Sequence, residues 1–326
     1  MSHLRASRQL DKFRRKHRFA RSVDQSRDTQ WFMRGLLMVG FPILASLLPL
    51  AAQSETPSLL VSVDWLAGQL NTPGLVILHS GTENDYAAGH IPGAQLLDLG
   101  AISRTGAGGL RLELPDEASL RAALEDAGVS NGSRIVVYAG GSSVQAATRV
   151  WFTLDVLGLG SRASLLDGGL NAWRAAGQPV STETRAAVKG SLVARIDSSR
   201  LASADWIKEH LSQRDTVLLD ARLPAFHSGQ DPGTMPRAGR IPGARSVPYT
   251  SLVDSDGRML PLDDLRRKIA SEEAKTYIAY CHIGMQATVL YFSARRLGLD
   301  VRLYDGSFQE WSARQDLPVE TGTGAP

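Results

Sequence analysis

Cysteine is almost missing from this chain: Cys281 is the only one in 326 residues. A single thiol excludes an internal disulfide framework. Histidine is scarce as well, seven residues without a ligand-spaced cluster, so no metal site is expected. No glycine-rich nucleotide loop follows a strand in the required way, and no cofactor is expected. Charge of one sign is lacking over most of the chain. Residues 1–34 carry ten Lys/Arg and three Asp/Glu, whereas the remainder carries 26 and 30. The basic pI therefore belongs to the amino terminus and gives the body no reason to bind nucleic acid.

Long apolar runs are also rare. The one that stands out is 35–52, GLLMVGFPILASLLPLAA, which contains Pro42 and Pro49 and is short for a membrane span. A basic flank, an apolar centre and small residues at the end describe a secretory signal. Segment 1–53 is thus expected to be a signal peptide cut near Ala51–Ser54, with an uncleaved anchor as the alternative. The basic flank is long for a signal, and Met33 is a possible true start. Arg14-Arg15 fits a twin-arginine signal poorly. Either way the body is expected to be periplasmic or otherwise exported, with membrane contact only through an uncleaved segment.

Over the full chain 43% of the residues are hydrophobic, with mixed charge, a globular composition. Short apolar runs alternate with helical patterns. Leu75–His79, Arg134–Tyr138, Ser164–Leu166, Thr216–Asp220, Thr276–Tyr280 and Val301–Tyr304 read as strands. Asp116–Ala127, Ala146–Leu157, Leu170–Ala176, Ala204–Leu211, Leu262–Ala270, Ala287–Leu297 and Ser307–Ala313 read as helices, with Ser203 as an N-cap. Such alternation predicts an α/β fold of mostly parallel sheets covered by helices on both faces.

The series occurs twice. GHIPGA at 89–94 returns as GRIPGA at 239–244, and VVYA at 136–139 returns as YIAYC at 277–281. LLDGGLNAW at 165–173 returns as LYDGSFQEW at 303–311. One domain has been duplicated, giving 58–180 and 200–322 with a polar linker at 181–199.

Cys281 stands where a buried strand ends and a helix begins, in YCHIGMQAT. Backbone N–H groups and the helix dipole favour an anion there, the setting in which a thiol becomes a nucleophile. A buried, inert thiol is the competing reading of any lone cysteine.

With two IPGA turns, two strand–DG–helix–Trp ends and the YC loop, the chain resembles the tandem-domain rhodanese-type sulfurtransferases over about 58–320. The resemblance implies two tandem rhodanese-like domains. It implies thiosulfate sulfurtransferase activity through a Cys281 persulfide, with a small anionic sulfur donor and a cyanide or thiol acceptor. It implies that His282, Ile283, Gly284, Met285 and Gln286 curl around the thiol as an anion nest, with Gly284 supplying unusual dihedrals. It places Arg222, in DAR, beside the cysteine as a substrate-binding group. Asp220 is expected to orient that loop, and His282 to line it before acting as a base.

Two departures matter. Ala139 stands at the cysteine position of the first domain, followed by a loop two residues longer, so that domain is expected to be catalytically silent. HIGMQ matches neither the basic loops that favour thiosulfate nor the small neutral ones that favour 3-mercaptopyruvate, so a 3-mercaptopyruvate sulfurtransferase remains an alternative. A persulfide carrier without turnover is another. A phosphatase of related fold needs an arginine where Ala287 stands. A purely structural role is disfavoured by an intact Cys281 and Arg222.

Overall fold

The structure is a computed structural model that describes residues 58–322 except Ser142. The expected signal segment lies outside the described residues. Among these, no helix is long and apolar enough to cross a membrane.

The first half runs β1 (Leu60–Val61), α1 (Val63–Ala67), β2 (Leu75–Ser80), α2 (Glu83–Ala87), β3 (Gln95–Leu96), α3 (Glu117–Asp126), β4 (Arg134–Ala139), α4 (Val144–Val156), β5 (Ala163–Leu166) and α5 (Gly169–Ala175). The second runs α6 (Ala204–His210), β6 (Thr216–Asp220), α7 (Pro224–Ser228), β7 (Arg245–Ser246), α8 (Leu262–Ile269), β8 (Thr276–Tyr280), α9 (Ala287–Arg296), β9 (Val301–Leu303) and α10 (Ser307–Ala313). The sheets are wholly parallel, in the orders β1-β5-β4-β2-β3 and β7-β6-β8-β9. The expected α/β fold is the observed one. Parallel strands buried on both faces need continuous apolar runs, and LVIL, IVVY and TYIAY supply them.

The register makes the two halves superimposable in words. His79 pairs with Tyr138 as Asp220 pairs with Tyr280. Each tyrosine hydroxyl accepts the first isoleucine N–H of an IPGA turn, Ile91 at 3.1 Å and Ile241 at 3.3 Å. Each terminal tryptophan donates to a proline carbonyl, Trp173 to Pro179 and Trp311 to Pro318.

The halves share one core through α4 and α9. Trp151 meets Phe292 edge to face with centroids 4.8 Å apart, and Phe152 meets Tyr291 at 5.0 Å. Such fully buried aromatics contribute about 1.5–3 kcal/mol each by area alone. The linker is more closely held than its polar composition suggests. Leu192 and Ala194 are buried, and the N–H groups of Leu192, Val193 and Ile196 donate to Glu125, Asn131 and Glu117. Sparse apolar residues without a period left that docking illegible in the sequence.

The largest omissions in the sequence reading are short. Strands β1, β3 and β7 have two residues each, and α1, α2 and α7 have five. Elements of that length carry no periodicity to read.

Candidate active site

Parallel sheets present ligand crevices beyond the carboxyl ends of their strands. Cys281 follows β8 directly, at such an end, and is fully buried. Its N–H donates to Ser307 Oγ at 3.2 Å, and its carbonyl accepts from Phe308 N–H at 3.0 Å. The next carbonyl, of His282, accepts from Gln309 N–H at 2.9 Å. The start of α10 thus grips the cysteine backbone.

From His282 to Ala287 no backbone N–H donates to an acceptor among the described residues. Helix α9 begins at Ala287, and its N-cap residue, Gln286, provides no side-chain cap. A run of unpaired N–H groups ending on a helix start is what an anion nest requires. Gly284 sits at φ +80°, where a β-carbon would stand 2.8 Å from the Asp305 carbonyl. Only glycine lets the loop approach the DG turn so closely. Ile283, Met285 and Gln286 are half-buried on the same loop.

Arg222 is 1% exposed. Its Nε donates to both Asp220 oxygens at 2.9 and 3.1 Å, and its Nη2 donates to Asp220 at 2.6 Å and to Gly239 O at 2.8 Å. Nη1 makes no hydrogen bond among the described residues. The guanidinium also lies 4.1 Å from the Phe308 ring centroid. Burial opposes the charge of Arg222, but Asp220 outweighs it and raises the Arg222 pKa above the ordinary arginine value.

Asp220 works through its neighbours. It also accepts from the Tyr280 hydroxyl at 3.1 Å and hydrogen-bonds His227 Nδ1 at 3.0 Å. Burial opposes its ionisation, but His227 and Arg222 outweigh that and hold its pKa down to about 2. A carboxylate so fully engaged stays ionised near pH 7 and holds Arg222 in place.

His282 is half-buried. It bonds Gln286 at 3.3 Å and meets the edge of Phe226 at 4.6 Å. Burial, then Arg222, lowers its pKa, so it is neutral near pH 7.

Sequence reasoning missed two contributors. Ser307 has φ +51°, a left-handed backbone, and its hydroxyl links Cys281 N–H to Tyr304 O. The aligned DGG and DGS were the signal: Gly169, at φ +55°, is replaced by a serine that bears the strain. Arg149, from α4 of the other half, donates to Gly284 O at 3.2 Å and to Asp305 at 2.6 Å. Its helix read as ordinary core, and nothing in its spacing announced a charge aimed across the interface.

A family model for the rhodanese-like domain matches residues 62–176 and 203–314. The chain belongs to the rhodanese family. It is similar to the mitochondrial thiosulfate/3-mercaptopyruvate sulfurtransferase 1 of Arabidopsis thaliana, 29% identical over 90% of this chain and 86% of that one. It is also similar to a probable 3-mercaptopyruvate sulfurtransferase of Pseudomonas aeruginosa, 34% identical over 81% of this chain and 98% of the relative. An anaerobic ergothioneine biosynthesis enzyme from Chlorobium limicola, crystallised with trimethyl histidine, shares the fold. Its TM-score is 0.72 at 22% identity, covering 82% of this chain and 71% of that one. The rhodanese assignment fits a duplicated domain in which one copy carries the thiol.

At the corresponding place in the first rhodanese domain stands Ala139. A cavity of about 680 Å³ opens there, lined by Ala139, Gly141, Val144 and Gly168 and closed by Tyr249 and Met259 of the second domain. It has room for a ligand, but no thiol lines it.

Proposed function

We propose that the protein is a sulfurtransferase that carries sulfane sulfur on Cys281. The thiolate attacks the outer sulfur of thiosulfate, the S–S bond breaks, and sulfite leaves with the bonding pair. The resulting persulfide gives its outer sulfur to cyanide or a thiol, and the Cys281 thiolate returns. The observation that carries this reading is the run of unpaired N–H groups from His282 to Ala287 around a thiol at a strand end. Such groups stabilise the developing anion without reorganising. Arg222 offers its Nη1 edge to the donor's charge. The first domain acts as a silent wall.

A second donor, 3-mercaptopyruvate, is favoured by one feature. Between Cys281 and Ala287 the loop carries no Lys or Arg, so fewer cations face a dianion. Steady-state kinetics with both donors decides. The expected result is a higher kcat/KM with thiosulfate, and a clear preference for 3-mercaptopyruvate overturns the assignment. A carrier without turnover is separated by the same assay, since it takes up one sulfur and fails to cycle with cyanide.

The protein is exported in this reading, on the strength of the basic and apolar amino-terminal segment. Cell fractionation that finds the full-length chain soluble in the cytoplasm refutes export.

A further inference from the structure

The duplicated helices α4 and α9 can be aligned residue by residue. Cys281 follows Ala139 by 281 − 139 = 142, and the loop after Ala139 is two residues longer, so the helices align at an offset of 140. Thr148 then corresponds to Thr288, and Asp155 to Arg295. Both pairs touch across the interface: the threonine hydroxyls lie 2.8 Å apart, and Arg295 Nε donates to Asp155 at 3.1 Å. Equivalent residues meeting one another is the mark of a two-fold relation, here between domains of one chain.

Arg149 breaks that symmetry. Its equivalent is Val289, fully buried and apolar. Arg149 is also fully buried, yet its Nε finds no acceptor. A buried guanidinium with an unpaired donor is a poor way to stabilise an interface, and a well-packed aliphatic residue serves better. The catalytic domain has that aliphatic residue at the same place. Stability alone therefore does not account for Arg149.

What Arg149 touches does account for it. Nη1 reaches Gly284 O in the cysteine loop and Asp305 in the DG turn beneath that loop. Nη2 reaches Leu112 O at 2.5 Å. Leu112 and Ser307 are the non-glycine residues with positive φ among the described ones, at 61° and 51°. One is held by Arg149, and the other holds Cys281 N–H. The strained backbone of the molecule is gathered at the two ends of one network. The loop containing Leu112 is pinned further: Leu114 N–H donates to Asp305 at 2.7 Å, and Arg111 exchanges two hydrogen bonds with Gln309.

We propose that Arg149, a residue of the silent domain, is a positioning residue for the Cys281 loop. By engaging the Gly284 carbonyl from behind, it fixes the turn that leaves the flanking N–H groups free for an anion at the thiol. The silent domain then supplies part of the catalytic domain's preorganisation as well as a wall. This rests on the persulfide reading of Cys281.

The test compares Arg149→Met and Arg149→Lys with wild type, using the full chain. Three quantities are read: the melting temperature, kcat and KM for thiosulfate, and the rate of Cys281 alkylation by iodoacetamide at pH 7. A loop that helps only in the transition state lowers kcat and leaves KM alone, so Arg149→Met is expected to lose roughly ten- to a hundredfold in kcat with KM changed by less than about twofold. Alkylation slows in parallel. Arg149→Lys keeps a charge beside Asp305 but loses the fork, and falls between the two. It also decides the matter should Arg149→Met fail to fold. A folded variant with a lower melting temperature but wild-type kcat and alkylation overturns the proposal, because a merely structural residue behaves so. Alkylation needs no sulfur chemistry. A wild type that takes up no sulfur while the alkylation contrast persists removes the persulfide reading and upholds the placement of Arg149.

Discussion

In the first domain the Tyr138 hydroxyl bonds His79 Nδ1 at 2.8 Å, and in the second the Tyr280 hydroxyl donates to Asp220 at 3.1 Å. Both tyrosines also hold an IPGA turn, so the scaffold is the same. What hangs on it differs. Two residues after Asp220 comes Arg222, and two after His79 comes Gly81. Seven after Asp220 comes His227, which bonds it; seven after His79 comes Tyr86, which packs against the His79 ring edge to face at 5.2 Å. In one copy a buried carboxylate holds a buried guanidinium. In the other a neutral imidazole fills the space among aromatics, its pKa lowered to about 4, first by burial and then by His90. The duplication kept the folding contacts in both copies and the charges in one.

The sharpest way to break this comparison is to move the thiol. Cys281→Ser is expected to abolish sulfur uptake and leave the fold intact. Ala139→Cys, made in that background, is expected to restore nothing, because Gly81 offers no guanidinium and Val289 no clamp. Sulfur uptake by the double variant, measured by single-turnover assay, defeats the claim that the surroundings matter as much as the cysteine.

Next in size is Arg222→Ala. Removing one partner of a buried ion pair leaves Asp220 exposed to its desolvation cost, so stability falls by about 3–5 kcal/mol in denaturant titration. In the folded fraction kcat/KM for thiosulfate drops by roughly ten- to a hundredfold, with Arg222→Lys between. An unchanged kcat/KM removes Arg222 from donor binding.

The Ser307/Gly169 pair gives a smaller effect and a cleaner exchange. Ser307→Gly relieves a left-handed strain of about 1–2 kcal/mol and loses one hydrogen bond of similar size, so stability changes little. Sulfur uptake slows severalfold as the Cys281 N–H loses its acceptor. Gly169→Ser in the first domain sets a β-carbon 2.7 Å from Ala139 O and destabilises by about 1–3 kcal/mol. Equal melting curves for the two variants contradict the different roles assigned to this position.

The duplicated α/β fold was legible because buried parallel strands must be apolar and because three motifs repeat. The cysteine loop was legible because a thiol at a strand–helix junction is unusual. Arg222 was singled out by resemblance, yet its engagement with Asp220 and Gly239 depends on a seventeen-residue excursion that no local pattern encodes. Arg149 was invisible for the same reason at greater distance: its partners lie on loops of both domains, at 112, 284 and 305. Spacing along a helix tells which face a residue occupies, not what waits beyond that face.

A pH-dependent effect concerns His79. Its folded pKa of about 4 lies below the ordinary 6.5, so between those values the unfolded chain binds more protons. Stability is therefore complete above pH 6.5 and declines as pH falls toward 4, by at most about 3 kcal/mol. His79→Gln should flatten that part of a urea-denaturation pH series, and an unchanged slope assigns it elsewhere. Asp220 titrates only near pH 2 and cannot supply it.

The central claim is that one thiol, set in one of two similar domains, carries the sulfur. Intact-mass measurement after exposure to thiosulfate tests it most directly. Wild type should gain a single sulfur atom that cyanide removes, and Cys281→Ser should gain none. Sulfur retained by Cys281→Ser, or a wild type whose mass does not change with either thiosulfate or 3-mercaptopyruvate, contradicts the account.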